Sequence, residues 1–219
     1  MLRLTLLCLS LVVCTAAQAA SVVWSATING IDLASGADAP TGSLVRLGTF
    51  DITDAEIASN ASVGNIPFLN SHFTEYGSAL IGDGARPAGH FSTITNNNGP
   101  TAIALAGAQI YVWAFSSGTV AGSTEHGIFY LPKATDADWQ FPAQVPFPDT
   151  TQIGLDDLTD LATSTTLKAN ARVVVGSFGP GTSDSTGKPN FTLVPVPEPT
   201  SAALLVAVAG LVGFIRRRS

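Results

Sequence analysis

The chain has 219 residues, 46% of them hydrophobic and only 12% charged, with a formal net charge of −6; this composition excludes a charge-rich disordered tail and a basic nucleic-acid binder. Much of the apolar excess sits in two terminal segments, 2–20 and 201–215, and residues 20–195 between them carry 15 acids against 6 bases. That middle region is long enough for one domain with its own core, and its acidic surface repels phosphate backbones and anionic lipid, so no nucleic-acid partner is expected.

The N-terminal residues 1–19 carry one early positive charge at Arg3, an apolar run from Leu4 to Val13, and small residues ending in Ala17-Gln18-Ala19. This is the tripartite pattern of a secretory signal peptide, with Ala17 and Ala19 forming the cleavage site. A run of about ten apolar residues is too short for a hydrocarbon layer of roughly 30 Å, so the signal helix is expected to be removed rather than kept as an anchor. Both cysteines, Cys8 and Cys14, fall inside it, and the mature chain is then expected to hold no disulfide and no thiolate metal site. Val13 is branched where a lipid-attachment box would need a small residue before Cys14.

From residue 20 onward, several short stretches combine β-branched and aromatic residues with period-two alternation: 22–28, 43–50, 90–95, 109–115, 127–131, 171–177 and 190–194. Turn chemistry separates them, at Asn29-Gly30, Asp83-Gly84, Asn98-Gly99-Pro100 and Gly179-Pro180-Gly181. The pattern predicts a mainly β fold, a β-sandwich or barrel-like single domain over 20–178 with a final strand near 190–194 and a Gly/Ser/Thr-rich loop over 179–189. Short helical insertions are expected at Thr53-Asp54-Ala55-Glu56, which reads as a capping box, and around Asp156, Asp157 and Asp160, whose acids suit a first helical turn. The stretch from Phe68 to Tyr76 fits helix or strand equally well.

The chemistry-bearing residues form no familiar catalytic pattern. The chain lacks a nucleophile elbow, a zinc-binding helix, a phosphate loop and a dinucleotide fingerprint, so no catalytic residue, cofactor or metal is assigned. His72, His90 and His126 are far apart in sequence, and Glu125 and His126, being adjacent on a strand, point to opposite faces. The acid clusters Asp51/Asp54/Glu56, Asp136/Asp138 and Asp156/Asp157/Asp160 read as caps, turns and solvated surface; a glycosidase would need two such acids roughly 5 to 9.5 Å apart across a cleft. In 110–115 one face of the strand is Tyr111, Trp113 and Phe115 and the other is Ile110, Val112 and Ala114, which predicts a central strand buried on both sides. Of the tryptophans, Trp139, between Asp138 and Gln140, is a better candidate than Trp113 for an exposed ring that could stack on a sugar.

The C-terminal 196–219 segment reads Val196-Pro197-Glu198-Pro199, then an uncharged run over 201–215, then Arg216-Arg217-Arg218. Pro197 and Pro199 cannot sit inside a helix and mark where an extended tether gives way to an apolar helix. Fifteen residues span about 22 Å, a marginal transmembrane helix, and the arginines stay cytoplasmic by the positive-inside rule. The order of these three parts resembles the PEP-CTERM sorting signal of exopolysaccharide-producing Gram-negative bacteria. The resemblance implies that Val196, Pro197, Glu198 and Pro199 are recognised by an exosortase-type membrane processing enzyme, that Arg216, Arg217 and Arg218 fix topology, and that the precursor is held briefly in the inner membrane. The stretches 45–50, 110–115, 139–142 and 173–176 are loosely similar to a group of PEP-CTERM paralogues, a likeness that implies no activity.

The sequence therefore points to an exported, surface-sorted, non-catalytic protein of the cell surface or extracellular matrix, with exopolysaccharide as a candidate partner. Its rivals are a carbohydrate-binding module, a secreted hydrolase and a permanently anchored single-pass protein.

Overall fold

The computed structural model describes residues 20–83, 86–97, 99–143, 149–159, 167–180 and 189–197. Ala17, Ala19, Glu198, Pro199, the run 201–215 and Arg216, Arg217 and Arg218 lie outside the described residues, as do Asp160 and residues 181–188 of the expected loop. The chain is mainly β, and its strands form three open sheets, so the barrel-like alternative is set aside. No helix among the described residues is long and apolar enough to cross a membrane.

The largest sheet is built around β3 (Leu44–Phe50) and β6 (Tyr111–Phe115), with β4 (Phe73–Leu80) on one side and β7 (Glu125–Tyr130) on the other. The outer edge of β7 is shared: β9 (Arg172–Val175) pairs along Ile128 to Tyr130, and β12 (Val194–Pro195) pairs at His126 and Glu125. A second sheet has β1 (Ala20–Ala26) between β5 (Phe91–Asn97), antiparallel to it, and β8 (Thr150–Gly154), parallel to it. The third joins β10 (Ser177–Pro180), β11 (Pro189–Thr192) and β2 (Ile31–Asp32). Gly179, Pro180 and Pro189, expected in a loop, are therefore strand residues, with Pro180 opposite Pro189 and Gly179 opposite Asn190.

Two hydrophobic cores lie on opposite faces of the large sheet. Val112 and Ala114 join Val45, Leu47, Phe129 and the inward side chains of β1, Val22 and Trp24, in the first core. Tyr111, Trp113 and Phe115 join Phe50, Phe73 and Ile128 in the second, under α1 (Asp54–Ser62) and α2 (Ile66–Ser71). Every residue of β6 is buried, as expected for a strand whose two faces are both apolar.

α1 starts where the capping box places it. The Thr53 hydroxyl accepts the Glu56 N–H at 3.3 Å, and Glu56 Oε2 accepts the Thr53 N–H at 2.9 Å. The ambiguous stretch 68–76 resolves into both states: α2 ends at Ser71 and β4 begins at Phe73. Gly99-Pro100 does not close a turn as expected but opens α3 (Pro100–Leu105), with Gly99 as N-cap and Pro100 in the first helical position. The acids at 156 and 157 fall in a single 3-10 turn over Leu155–Leu158.

Candidate functional site

The C-terminal exit is where sequence and fold meet. β9 runs into β10 through Gly176, whose φ of +110 no branched side chain adopts readily. A Cβ there would lie 2.9 Å from the Phe191 ring. Phe191 is fully buried, with its ring centroid 4.5 Å from that of Phe129. Asn190 beside it accepts the Gly30 N–H at 2.8 Å and donates to the Asp32 carboxylate at 3.0 Å. Together these contacts clamp the last strands onto the domain.

Beyond this clamp the chain runs along β7. Val194 lies opposite His126 and Pro195 opposite Glu125. The Val196 N–H donates to the Thr124 carbonyl at 2.7 Å, and Val196 is half-buried while Pro197 is exposed. Pro197 sits against the turn between α1 and α2, where Gly64 has φ +69 and a Cβ would overlap the Pro197 carbonyl oxygen. Ala58, Ala61, Val174, Val194, Pro195 and Pro197 line a shallow apolar depression of about 290 Å³ at this point. Val196 and Pro197 are thus surface residues held on a strand end, and Glu198 and Pro199 follow outside the described residues.

The remaining candidates are dispersed. His72 Nδ1 lies 2.7 Å from Asp51 Oδ1 at the end of α2, and His90 Nδ1 lies 3.1 Å from the Ala26 carbonyl. His126 is fully buried; its Nδ1 accepts the Trp113 Nε1–H at 3.1 Å, and burial pushes its pKa down to about 4. Glu125, the next residue on β7, instead accepts the Ala34 N–H at 2.7 Å. Among the described residues no group of three or more His, Cys, Asp or Glu is placed to hold a metal ion.

Two of the acid clusters converge. Asp138, Asp156 and Asp157 line one polar depression with Ser25, Thr27 and Gln152. Burial raises the Asp157 pKa, while the Gly154 N–H at 2.7 Å partly opposes that shift. The same Oδ2 accepts the Trp139 Nε1–H at 3.2 Å. Asp157 Oδ2 therefore both closes a turn and holds an indole in place.

Trp139, the better candidate for an exposed ring, is 0% exposed, inside the first core. It belongs to a 3-10 turn, Ala137–Trp139, where the polar character of the adjacent Asp138 and Gln140 says nothing about which way the ring faces. Trp24 and Trp113 are buried as well, so none of the three indoles is available to stack on a sugar.

Sequence reasoning missed two polar groups in the second core. Asp54 at the start of α1 accepts from the Tyr111 hydroxyl at 3.0 Å and the Tyr130 hydroxyl at 2.7 Å. Burial, reinforced by the Asp54 charge, raises both phenol pKa values, that of Tyr130 to about 12. Arg46 lies over the Phe73 and Trp113 rings, with centroids 4.6 and 5.4 Å away, and pairs with Glu75. The alternation Leu44, Arg46, Phe50 on the α1 face was the available signal. Both groups tie the helices to the sheet, Asp54 from α1 to Tyr111 and Tyr130 and Arg46 from β3 to Asn70 of α2 at 2.6 Å.

Comparison of the chain with protein-family models, with curated proteins and with solved structures finds no match in any of the three.

Proposed function

We propose that this is an exported, non-catalytic protein of the cell surface or extracellular matrix, held transiently in the inner membrane and sorted through its C-terminal tail by an exosortase-type enzyme. The observation that carries the reading is the order of the tail: Val196-Pro197-Glu198-Pro199, the uncharged run over 201–215, and Arg216-Arg217-Arg218. The place of the tail in the fold supports it. β12 ends at Pro195, and Val196 is retained by one backbone hydrogen bond to Thr124. A hydrogen bond of that kind contributes about 1 kcal/mol net, and Pro197 is exposed and adds only its contact with Gly64, so an enzyme can lift Val196 and Pro197 from the surface without unfolding the domain.

The motif chemistry is that of a substrate. Pro197 and Pro199 carry no N–H and disfavour helix in the residues before them, and the Glu198 carboxylate between them gives a recognising enzyme one charge to read. The carbohydrate-binding alternative loses the ring it relied on, because Trp139 is buried. The reading is tested by Glu198→Ala combined with Pro199→Ala, in the full chain and in a host that carries the sorting machinery. The doubly substituted protein is expected to accumulate uncleaved in the membrane fraction. Release at the unsubstituted rate would overturn the reading.

A further inference from the structure

We propose that the α1–α2 turn and the helix ends beside it, residues 62–67, together with Pro197, form a face that rests on the phospholipid headgroups of the bilayer holding the precursor. The inference depends on the reading of 201–215 as a membrane segment. Three residues separate Pro197 from Ser201, so these two lie at most about 14 Å apart along the chain. The headgroup layer on each side of a bilayer is about 5 to 8 Å thick. The membrane segment is short as well, about 22 Å against roughly 30 Å of hydrocarbon, so it has no length to spare for lifting the domain away. Whatever surrounds Pro197 is thereby brought to the lipid.

What surrounds Pro197 suits that position. Gly64 is in contact with it, and the neighbouring Val63 is 63% exposed, the highest value among the exposed large hydrophobic residues described. Pro67 is exposed and Ile66 half-buried beside it. Residues 57–74 contain no Asp, Glu, Lys or Arg, although residues 20–195 as a whole carry nine more acids than bases. The two acids of α1, Asp54 and Glu56, stand in its first turn, at the end away from this face. Glu125, opposite Pro195, directs its carboxylate at the Ala34 N–H and keeps its charge there. Elsewhere the acidic surface is repelled by anionic lipid; residues 62–67 and Pro197 carry no charge, Glu198 being the one acid next to them in the chain, so this face approaches the headgroups at a smaller electrostatic cost than the rest of the surface.

The test uses the signal-processed full precursor, 20–219, which contains no native cysteine. Val63→Cys and Ile94→Cys are labelled separately with an environment-sensitive fluorophore. Ile94 is 59% exposed on β5, in the sheet across the first core from α1 and α2, so neither substitution disturbs the interior. Each protein is reconstituted in phosphatidylethanolamine and phosphatidylglycerol vesicles, with and without brominated acyl chains. Flotation with the vesicles reads the membrane anchoring itself. Emission is expected to shift to the blue and to be quenched by brominated lipid at position 63, and to change at neither wavelength nor intensity at position 94. Flotation with no difference between the two positions overturns the docking face and leaves the anchoring standing. Failure to float overturns both.

Discussion

His126 makes the stability of this domain depend on pH in a direction that can be worked out. Its imidazole is fully buried in β7, with Nδ1 accepting from Trp113 and Nε2 without a partner among the described residues. Burial lowers its pKa from 6.5 to about 4. Below pH 6.5 the unfolded chain takes up a proton that the folded one refuses until near pH 4, so stability falls as the pH is lowered through that window and levels off beneath it. The total loss is about 3 kcal/mol, and about 2 kcal/mol of it is complete by pH 5. Asp157, whose folded pKa is raised, acts with opposite sign: its contribution is lost as the pH rises through its folded value. Urea unfolding followed by tryptophan fluorescence at pH 7.5, 6 and 5 measures the effect. His126→Gln keeps an acceptor for Trp113 without a titrating ring, and should flatten the slope between pH 6.5 and 5. Equal losses in the two proteins would refute the assignment.

Two further predictions follow from packing and capping. Phe191→Ala opens a cavity between Phe129 and Gly176 at the clamp on the last strands, and should destabilise the domain by about 3 to 5 kcal/mol in the same urea assay, with no change in export of the folded fraction. Thr53→Ala removes one half of the capping box of α1 and should lower stability by about 1 kcal/mol, whereas Thr53→Ser keeps the accepting hydroxyl and should leave stability unchanged.

What the sequence disclosed and what it withheld divide along physical lines. The two-faced β6 was legible because both residue sets of a period-two pattern are apolar, and only a strand buried on both sides needs that. The start of α1 was legible because the capping box is a local interaction, complete within four residues. α3 was not, because Gly99-Pro100 serves equally as turn and as helix entry, and the choice is made by Ala102 and Leu105 reaching the first core. β8 escaped notice because its pairing with β1 joins Thr150 to Ser21, far away in the chain, and five residues beginning Thr-Thr-Gln carry little signal of their own. The burial of Trp139 was not legible either, because neighbours along the chain do not set exposure in a 3-10 turn. At the C-terminal exit the sequence supplied the motif, and the structure added what no pattern contains: the hydrogen bond from Val196 to Thr124 and the fit of Pro197 against Gly64.

The central claim is that the tail is a transient anchor, and the mass of the mature protein tests it most directly. The protein is recovered from cells and medium of a host that carries the sorting machinery, and its intact mass is measured. A chain that begins at Ala20 and ends within Pro197 to Pro199 is the predicted result. A chain that still ends in Arg216-Arg217-Arg218-Ser219 would make it a resident single-pass membrane protein and contradict the account.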